Sequence, residues 1–357
     1  VGGLTVSGAG TALTLNNTAN TYAGGTAVGA GATLTLSKAG LLPNGAGKGG
    51  VSVNGTLTLA AGDHVFNGLD GAGTVVCAAS GTLTLGGGDA SSVFGGVISN
   101  TIVTLNLVKT GAGTVALNGG LVYRGTTAVN GGVLALGASN TLSGAVTVNA
   151  GGTLRLGHPQ ALAGAPLIVS ANGAAFDTAE MAEPCLLADA QTLQLGVYGV
   201  SAATLATAPG NGLALTGTAA LHVNGYGGAT PPLTVTGGGG VTLSSNNAVT
   251  VTVAGGTPLA AGDYVLVAGG VAGAAPSAVT VNGAGRAAGT TDKLAIEEGD
   301  LILRIAAYDP GRPPTDIVTV AAGDWHAPAT WSGGSVPGPG DRVTLNHAVT
   351  LSSGTSP

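Results

Sequence analysis

Few side chains in this sequence have the type and spacing that catalysis needs. The acids that could act as general acids or nucleophiles are Asp63, Asp70, Asp89, Asp263, Asp292 and Asp300. Carboxylate-driven hydrolysis or elimination requires two such groups, or an acid and a base, converging on one face. These six fall singly at turn-like positions, and none recurs at a fixed interval with a second acid. His64, His158, His222, His326 and His347 are equally dispersed. The chain has no Ser-centred elbow, no Gly-rich phosphate loop and no Cys-x-x-Cys. The sequence therefore predicts no catalytic residue and no enzyme.

Binding chemistry is also sparse. The nearest approach to a calcium β-roll repeat is Gly86-Gly-Gly-Asp89, a single copy of a motif that works by repetition, so neither a metal site nor a cofactor is expected. Asp177, Glu180, Glu183 and Asp189 gather around Met181 and Cys185. That cluster reads as an irregular or locally helical excursion, or as an acidic patch, and its spacing fits no metal loop. Cys77 and Cys185 are too far apart in a stacked array for a bridge that needs Cα atoms within about 7 Å. Buried thiols are expected, with an intermolecular bond or a reactive thiol as alternatives. Trp325 and Trp331 would plug a small apolar core or offer a platform for sugars. Thr33/Thr35, Thr56/Thr58 and Thr82/Thr84 could stack into a threonine ladder, which would lapse at Ala116, Ala135 and Arg155. An ordinary solvated face is the plainer reading.

The elements that would carry these residues are short strands. Residues 107–136 contain apolar strands at 115–117, 127–129 and 133–136, each ended by a glycine or asparagine turn. Such a unit cannot bury its own apolar face and must stack on copies of itself. Similar strands close at Leu15, Leu36, Leu59, Leu85, Leu117, Leu136 and Leu156. Their two-residue alternation turns leucines inward and threonines outward. Most intervals lie between about 19 and 26 residues, the length of one solenoid coil. Residues 294–305 read as a hairpin around Glu298-Gly-Asp300.

Composition supports this. The chain has 67 glycines, 3% aromatic and 7% charged residues, against 44% hydrophobic ones. Average proteins carry roughly 25% charge, and disorder needs low hydrophobicity. A thin aliphatic core repeated many times fits these values. The net charge of −6 and the lack of a basic run argue against nucleic acid as a partner. No uninterrupted apolar stretch reaches about 18 residues, so no membrane insertion by a helix is expected. The N-terminus shows no charged and apolar leader and starts in a strand-like pattern.

Several of these segments resemble the autotransporter-associated β-strand repeat of bacterial passenger domains. They are Lys109-Thr-Gly-Ala-Gly-Thr114, Tyr123 with Asn130-Gly-Gly-Val-Leu-Ala-Leu136, and a partial copy at Asn20-Thr-Tyr-Ala-Gly-Gly-Thr-Ala-Val28. The block from Asp324 to Asp341 is similar to the segment that opens such arrays. The resemblance covers most of residues 1–157 well and 192–305 loosely. It implies a right-handed parallel β-helix, secreted or displayed at the surface of a Gram-negative-type cell. It implies no particular activity.

The expected organisation is all-β, a right-handed parallel β-helix of about 15 coils at roughly 22 residues each. Residues 1–173 would be the regular β-helix. Residues 174–307 would continue it, with an irregular excursion near 174–200. Residues 308–357 would be a Pro-rich joint and the opening coils of the next unit. The opening block stands at the C-terminal end, so copies would continue head-to-tail, joined covalently or docked as subunits. Uncapped, complementary ends give a heterologous contact that does not close, hence a filament. The expected assembly interface is Leu4, Val6, Leu13 and Leu15 against Val343, Leu345, Val349 and Leu351, with Trp325 and Trp331 near the joint. The alternative is a monomeric adhesin that binds glycan or protein ligands along its side. In either case the partners would lie outside the cell: copies of the chain itself, or cell-surface and matrix glycans.

Overall fold

In a computed structural model of the chain, the structure describes residues 2–17, 20–196, 202–307, 316–325, 327–332, 334, 336–337 and 341–350. Among these the architecture is all-β, and the single helical piece is a 3-10 turn at Pro328–Thr330. Short strands are what the alternating Leu/Thr and Val/Ser segments favour, because β-branched residues fit a pleated surface with one buried side. Glycine and asparagine turns between them leave no room for a helix.

Consecutive strands visit three faces in turn. The first face opens with a four-stranded sheet, Leu4–Val6, Thr26–Val28, Val51–Val53 and Leu69–Asp70. A bridge from Gly71 to Phe94 joins it to a ten-stranded sheet that begins at Ser92–Phe94. The second face holds a seven-stranded sheet from Ala12–Leu15 to Thr141–Leu142 and a four-stranded one from Cys185–Leu187 to Val271–Gly273. Residues 158–165 span the gap, through hydrogen bonds from Leu142 to Ala163 and from Leu186 to Pro159. The third face is one ten-stranded sheet from His64–Phe66 to Ala278–Gly283. Up to Gly262–Ala268, neighbouring strands within each sheet pair in parallel, one rung apart. Val115 faces Leu134 and Leu205 faces Val235, offsets of 19 and 30 residues. These long parallel sheets are consistent with a β-solenoid.

The core is a set of aligned rows. Leu34, Leu57, Val75, Ile98 and Leu121 succeed one another across five rungs of the second face, each at most 1% exposed. Burying one such side chain contributes about 1.5 to 3 kcal/mol, and the row repeats that gain at every rung. All three phenylalanines, Phe66, Phe94 and Phe176, are inside.

Corners are tight. At Gly55, Gly73, Gly96 and Gly119, stacked between the first and second faces, an added Cβ would meet main-chain atoms of the rung before. None of the four has a positive φ, so glycine is needed there for close approach rather than for conformation. Buried amides clamp other corners. Asn211 accepts from the Ala208 N–H and donates to the Met181 carbonyl, 2.8 and 2.9 Å away. Gln191 and Asn247 repeat the arrangement.

Several expectations need correction. The seven strand ends from Leu15 to Leu156 are found where expected, but on three faces rather than one. Leu15, Leu36 and Leu59 lie on the second, Leu85 on the third, and Leu117, Leu136 and Leu156 on the first. Two further strands, Leu121–Tyr123 and the end of Leu105–Lys109, fall within residues 107–136. The threonine pairs are likewise split, since Thr82 and Thr84 belong to the third face. The columns that do form are Thr14-Thr35-Thr58 and Thr33-Thr56-Thr74. The segment near 174–200 is not helical where it is described. Ala175–Asp177 and Cys185–Leu187 join the first and second faces, leaving 178–184 as the connection between them. Residues 197–200, within that excursion, lie outside the described residues, as does most of the Pro-rich joint.

The end of the stack is not bare. Asp300–Ala307 lies antiparallel to both Gly262–Ala268 and Thr290–Glu297. The hairpin expected around Glu298-Gly299 is present, with φ of 51° and 84° at those residues, as a two-residue turn between strands requires. Its inner side chains Leu294, Leu301, Leu303 and Ile305 are buried in the main core. Beyond it, Asp316–Val318 pairs in parallel with Arg342–Thr344, and Gly323–Asp324 with Val349–Thr350. Trp331 is the centre of this small unit, 1% exposed.

Candidate assembly surfaces

The acids considered for catalysis are tied into the scaffold. Carboxylate Oδ1 atoms of Asp63, Asp70 and Asp89 accept main-chain N–H bonds from Thr82, Val93 and Ala112, all one rung later, at 2.7, 3.0 and 2.8 Å. Asp300 accepts from the Gly269 N–H at 2.7 Å. Asp263 and Asp292 are paired with Arg304 and Arg286. Asp177, from the acidic cluster, holds Arg155 at 2.7 Å. Asp189 accepts from the N–H and hydroxyl of Thr218, and those bonds lower its pKa. A carboxylate that accepts such bonds is favoured in its charged form, which suits a brace.

The histidines are held locally too. His64 is buried, its Nε2 lies 2.9 Å from the Ala61 carbonyl, and burial lowers its pKa. His158 Nδ1 accepts from the Gln160 N–H. His222 Nε2 lies 3.0 Å from the Thr252 hydroxyl, and burial lowers its pKa as well. His347 Nδ1 contacts Thr319, while His326 falls outside the described residues. Among the described residues no three His, Cys, Asp or Glu side chains are grouped to hold a metal, and no helix is long and apolar enough to cross a membrane. Both cysteines are buried and free. Burial pushes the Cys185 thiol up to about 12 and raises that of Cys77.

Two sets of residues compose the expected interface, and they belong to different cores. Leu4 and Val6 lie in the first rung of the first face, Leu13 and Leu15 in that of the second. Val6 is buried, whereas Leu4, Leu13 and Leu15 are half-buried against the main core. Their equivalents one rung on, Leu34 and Leu36, are completely covered. Val343 and Val349 are half-buried in the small C-terminal unit, and Leu345 is 56% exposed. Leu351 lies outside the described residues. Trp325 and Trp331 meet edge-on with ring centres 4.8 Å apart, and Trp331 Nε1 donates to the Trp325 carbonyl. Trp331 is thus an interior residue of its own unit, closed to sugars, and Trp325 covers it.

No family model, curated protein or solved structure matches the chain.

One bracing residue escaped the sequence reading. Lys109 is fully buried, and its ammonium donates to the carbonyls of Thr110, Gly111 and Gly131 at 2.6, 2.8 and 3.0 Å. Burial lowers its pKa, opposed by the nearby Asp89 charge. The signal was available: in Leu105–Lys109 the alternation that turns Leu105 and Leu107 inward turns Lys109 inward as well.

Proposed function

We propose that this chain is a structural element of an extracellular fibre, a right-handed parallel β-helix continued head-to-tail by further copies. The resemblance to autotransporter-type repeats supports a surface location on a Gram-negative-type cell. Twelve strands stack on the first face between Leu4 and Ala268. The C-terminal coils would bring the unit towards the expected total of about 15.

The observation that carries the reading is that parallel rungs occur at both ends. Leu4–Val6 stacks on Thr26–Val28, and Asp316–Val318 stacks on Arg342–Thr344. The first set has half-buried leucines and the second an exposed Leu345, so docking one on the other would cover both. The commitment of acids and lysine to main-chain groups fits a scaffold rather than an enzyme. Replacing Leu345 by Asp should shorten or abolish fibres in negative-stain images while circular dichroism stays that of the parent. Unchanged fibre length would refute this joint.

The second reading, an adhesin that binds along its side, is favoured by one observation. Val93, Val97, Ile102 and Val122 are 55%, 40%, 87% and 49% exposed and lie on two successive rungs. Protein capture that Val97→Lys and Val122→Lys abolish would support it, with no change in fibre length.

A further inference from the structure

We propose that the hairpin of Thr290–Glu297 and Asp300–Ala307 is a stop that prevents a second copy from pairing with the first face at the far end of the stack, where the third face still ends in a parallel strand with Val279 and Val281 half-buried. Three observations meet there.

The hairpin first covers the core at the end of the first face. Leu294, Leu301, Leu303 and Ile305 are each at most 3% exposed, and Ile296 beside them is half-buried, so little apolar surface is left at that end of the first face for another rung to cover. It also reverses direction, because Asp300–Ala307 is antiparallel to the strand before it. The parallel path that every earlier rung of the face follows ends at Gly262–Ala268.

The free edge it leaves is Thr290–Glu297, the last strand of the ten-stranded sheet. Free edges recruit strands from other chains unless charge, inward-pointing ions or bulges prevent it. Charge is concentrated here. Residues 190–262 contain no Asp, Glu, Lys or Arg, whereas residues 263–304 contain eight. On the edge strand Asp292 is held by Arg286, and Lys293 and Glu297 are exposed. Arg304 grips Asp263 and Glu297 with two bonds each, between 2.8 and 3.0 Å. Pairing two copies through this edge would bury those ions, at a cost that surface burial does not offset.

The stop stands independently of the fibre reading. If fibres form, it means that they are series of closed stacks, each begun afresh by a unit such as 316–350. The test is made in the Leu345→Asp background, so that the proposed joint does not contribute. Full-length Leu345→Asp protein is compared with the same protein carrying Lys293→Val and Glu297→Val, by sedimentation velocity and electron microscopy. The expected result is a rise of about twofold in sedimenting mass and rod length, from edge-to-edge pairing across a two-fold axis. Lys293→Thr alone, which leaves the Arg304 bonds intact, should show a weaker rise at higher concentration. Both variants remaining at unit mass with parental circular dichroism would overturn the stop. Failure of Leu345→Asp to shorten fibres bears on the joint alone.

Discussion

The Lys109 ammonium of one rung donates to the Gly131 carbonyl of the next, 3.0 Å away. With its bonds to Thr110 and Gly111 it spends all three donors on main chain. The ion thus serves as a rivet between two corners, flanked in its row by Leu85 and Val129.

Lys109→Met keeps the aliphatic stem and leaves three carbonyls without that donor. A loss of about 2 to 3 kcal/mol is expected, confined to neighbouring rungs because a stack unfolds locally. Hydrogen exchange at residues 110–113 and 130–132 should quicken, while the hairpin at 290–307 keeps its protection. Equal exchange in variant and parent would show that the rivet is dispensable.

Glycine columns make a sharper steric prediction. An alanine Cβ at Gly96 would press on the Gly73 carbonyl and the Phe94 ring, whereas one at Gly120 meets nothing within 4 Å. Gly96→Ala should therefore cost about 3 kcal/mol or more, and Gly120→Ala less than about 0.5 kcal/mol. Denaturation midpoints that fall together would mean that the rungs spread without penalty.

His64 makes the fold sensitive to mild acid. Its folded pKa lies below 6.5 because burial disfavours the charged ring. Above pH 6.5 the ring is neutral folded or unfolded, and its contribution is fully present. As pH falls below 6.5 the unfolded chain takes up a proton that the folded one resists, so stability declines until the lowered pKa is passed. The urea midpoint should drop between pH 7.5 and 5.5, and His64→Phe should flatten part of that slope. His222, shifted in the same direction, accounts for some of the remainder. A slope unaltered by His64→Phe would remove His64 from the account.

Both thiols should be silent in the native state. Cys77 and Cys185 are buried, unpaired and raised in pKa, and the thiolate is the reactive form. A chromogenic disulfide reagent should titrate no thiol at neutral pH and two after denaturation. A native equivalent that reacts would point to opening of the second face, on which both residues lie.

Local structure was legible in the sequence and the assignment of strands to faces was not. Thr33–Leu36 and Gly81–Leu85 share the same alternation of threonine and leucine, yet one is on the second face and the other on the third. All three faces of a rung bury the same kind of row, so composition carries no label for the face. Phase depends on the length of each corner, and the register offset varies from 18 residues between Val51 and Leu69 to 34 between Leu233 and Val267. The hairpin was readable because Glu298-Gly299 is a turn of known geometry. Its role as a stop was not, since that depends on where the parallel strands of the first face end. Asp63 and Asp89 could be placed at turns, but their acceptance of N–H bonds from the following rung needs the register to be seen, and Asp70, expected at a turn, lies in the strand Leu69–Asp70.

Because adjacent rungs are linked by hydrogen bonds that run along the stack, tension transmitted through the chain reaches them one rung at a time. The column would then give way by peeling off successive turns, as a zipper opens, and would not snap as a rod. Each turn of 18 to 34 residues releases on the order of 60 to 120 Å of slack when drawn straight. Sheet after sheet of similar short strands thus becomes a reserve of length, and the molecule can dissipate a sudden pull while most of its column stays folded.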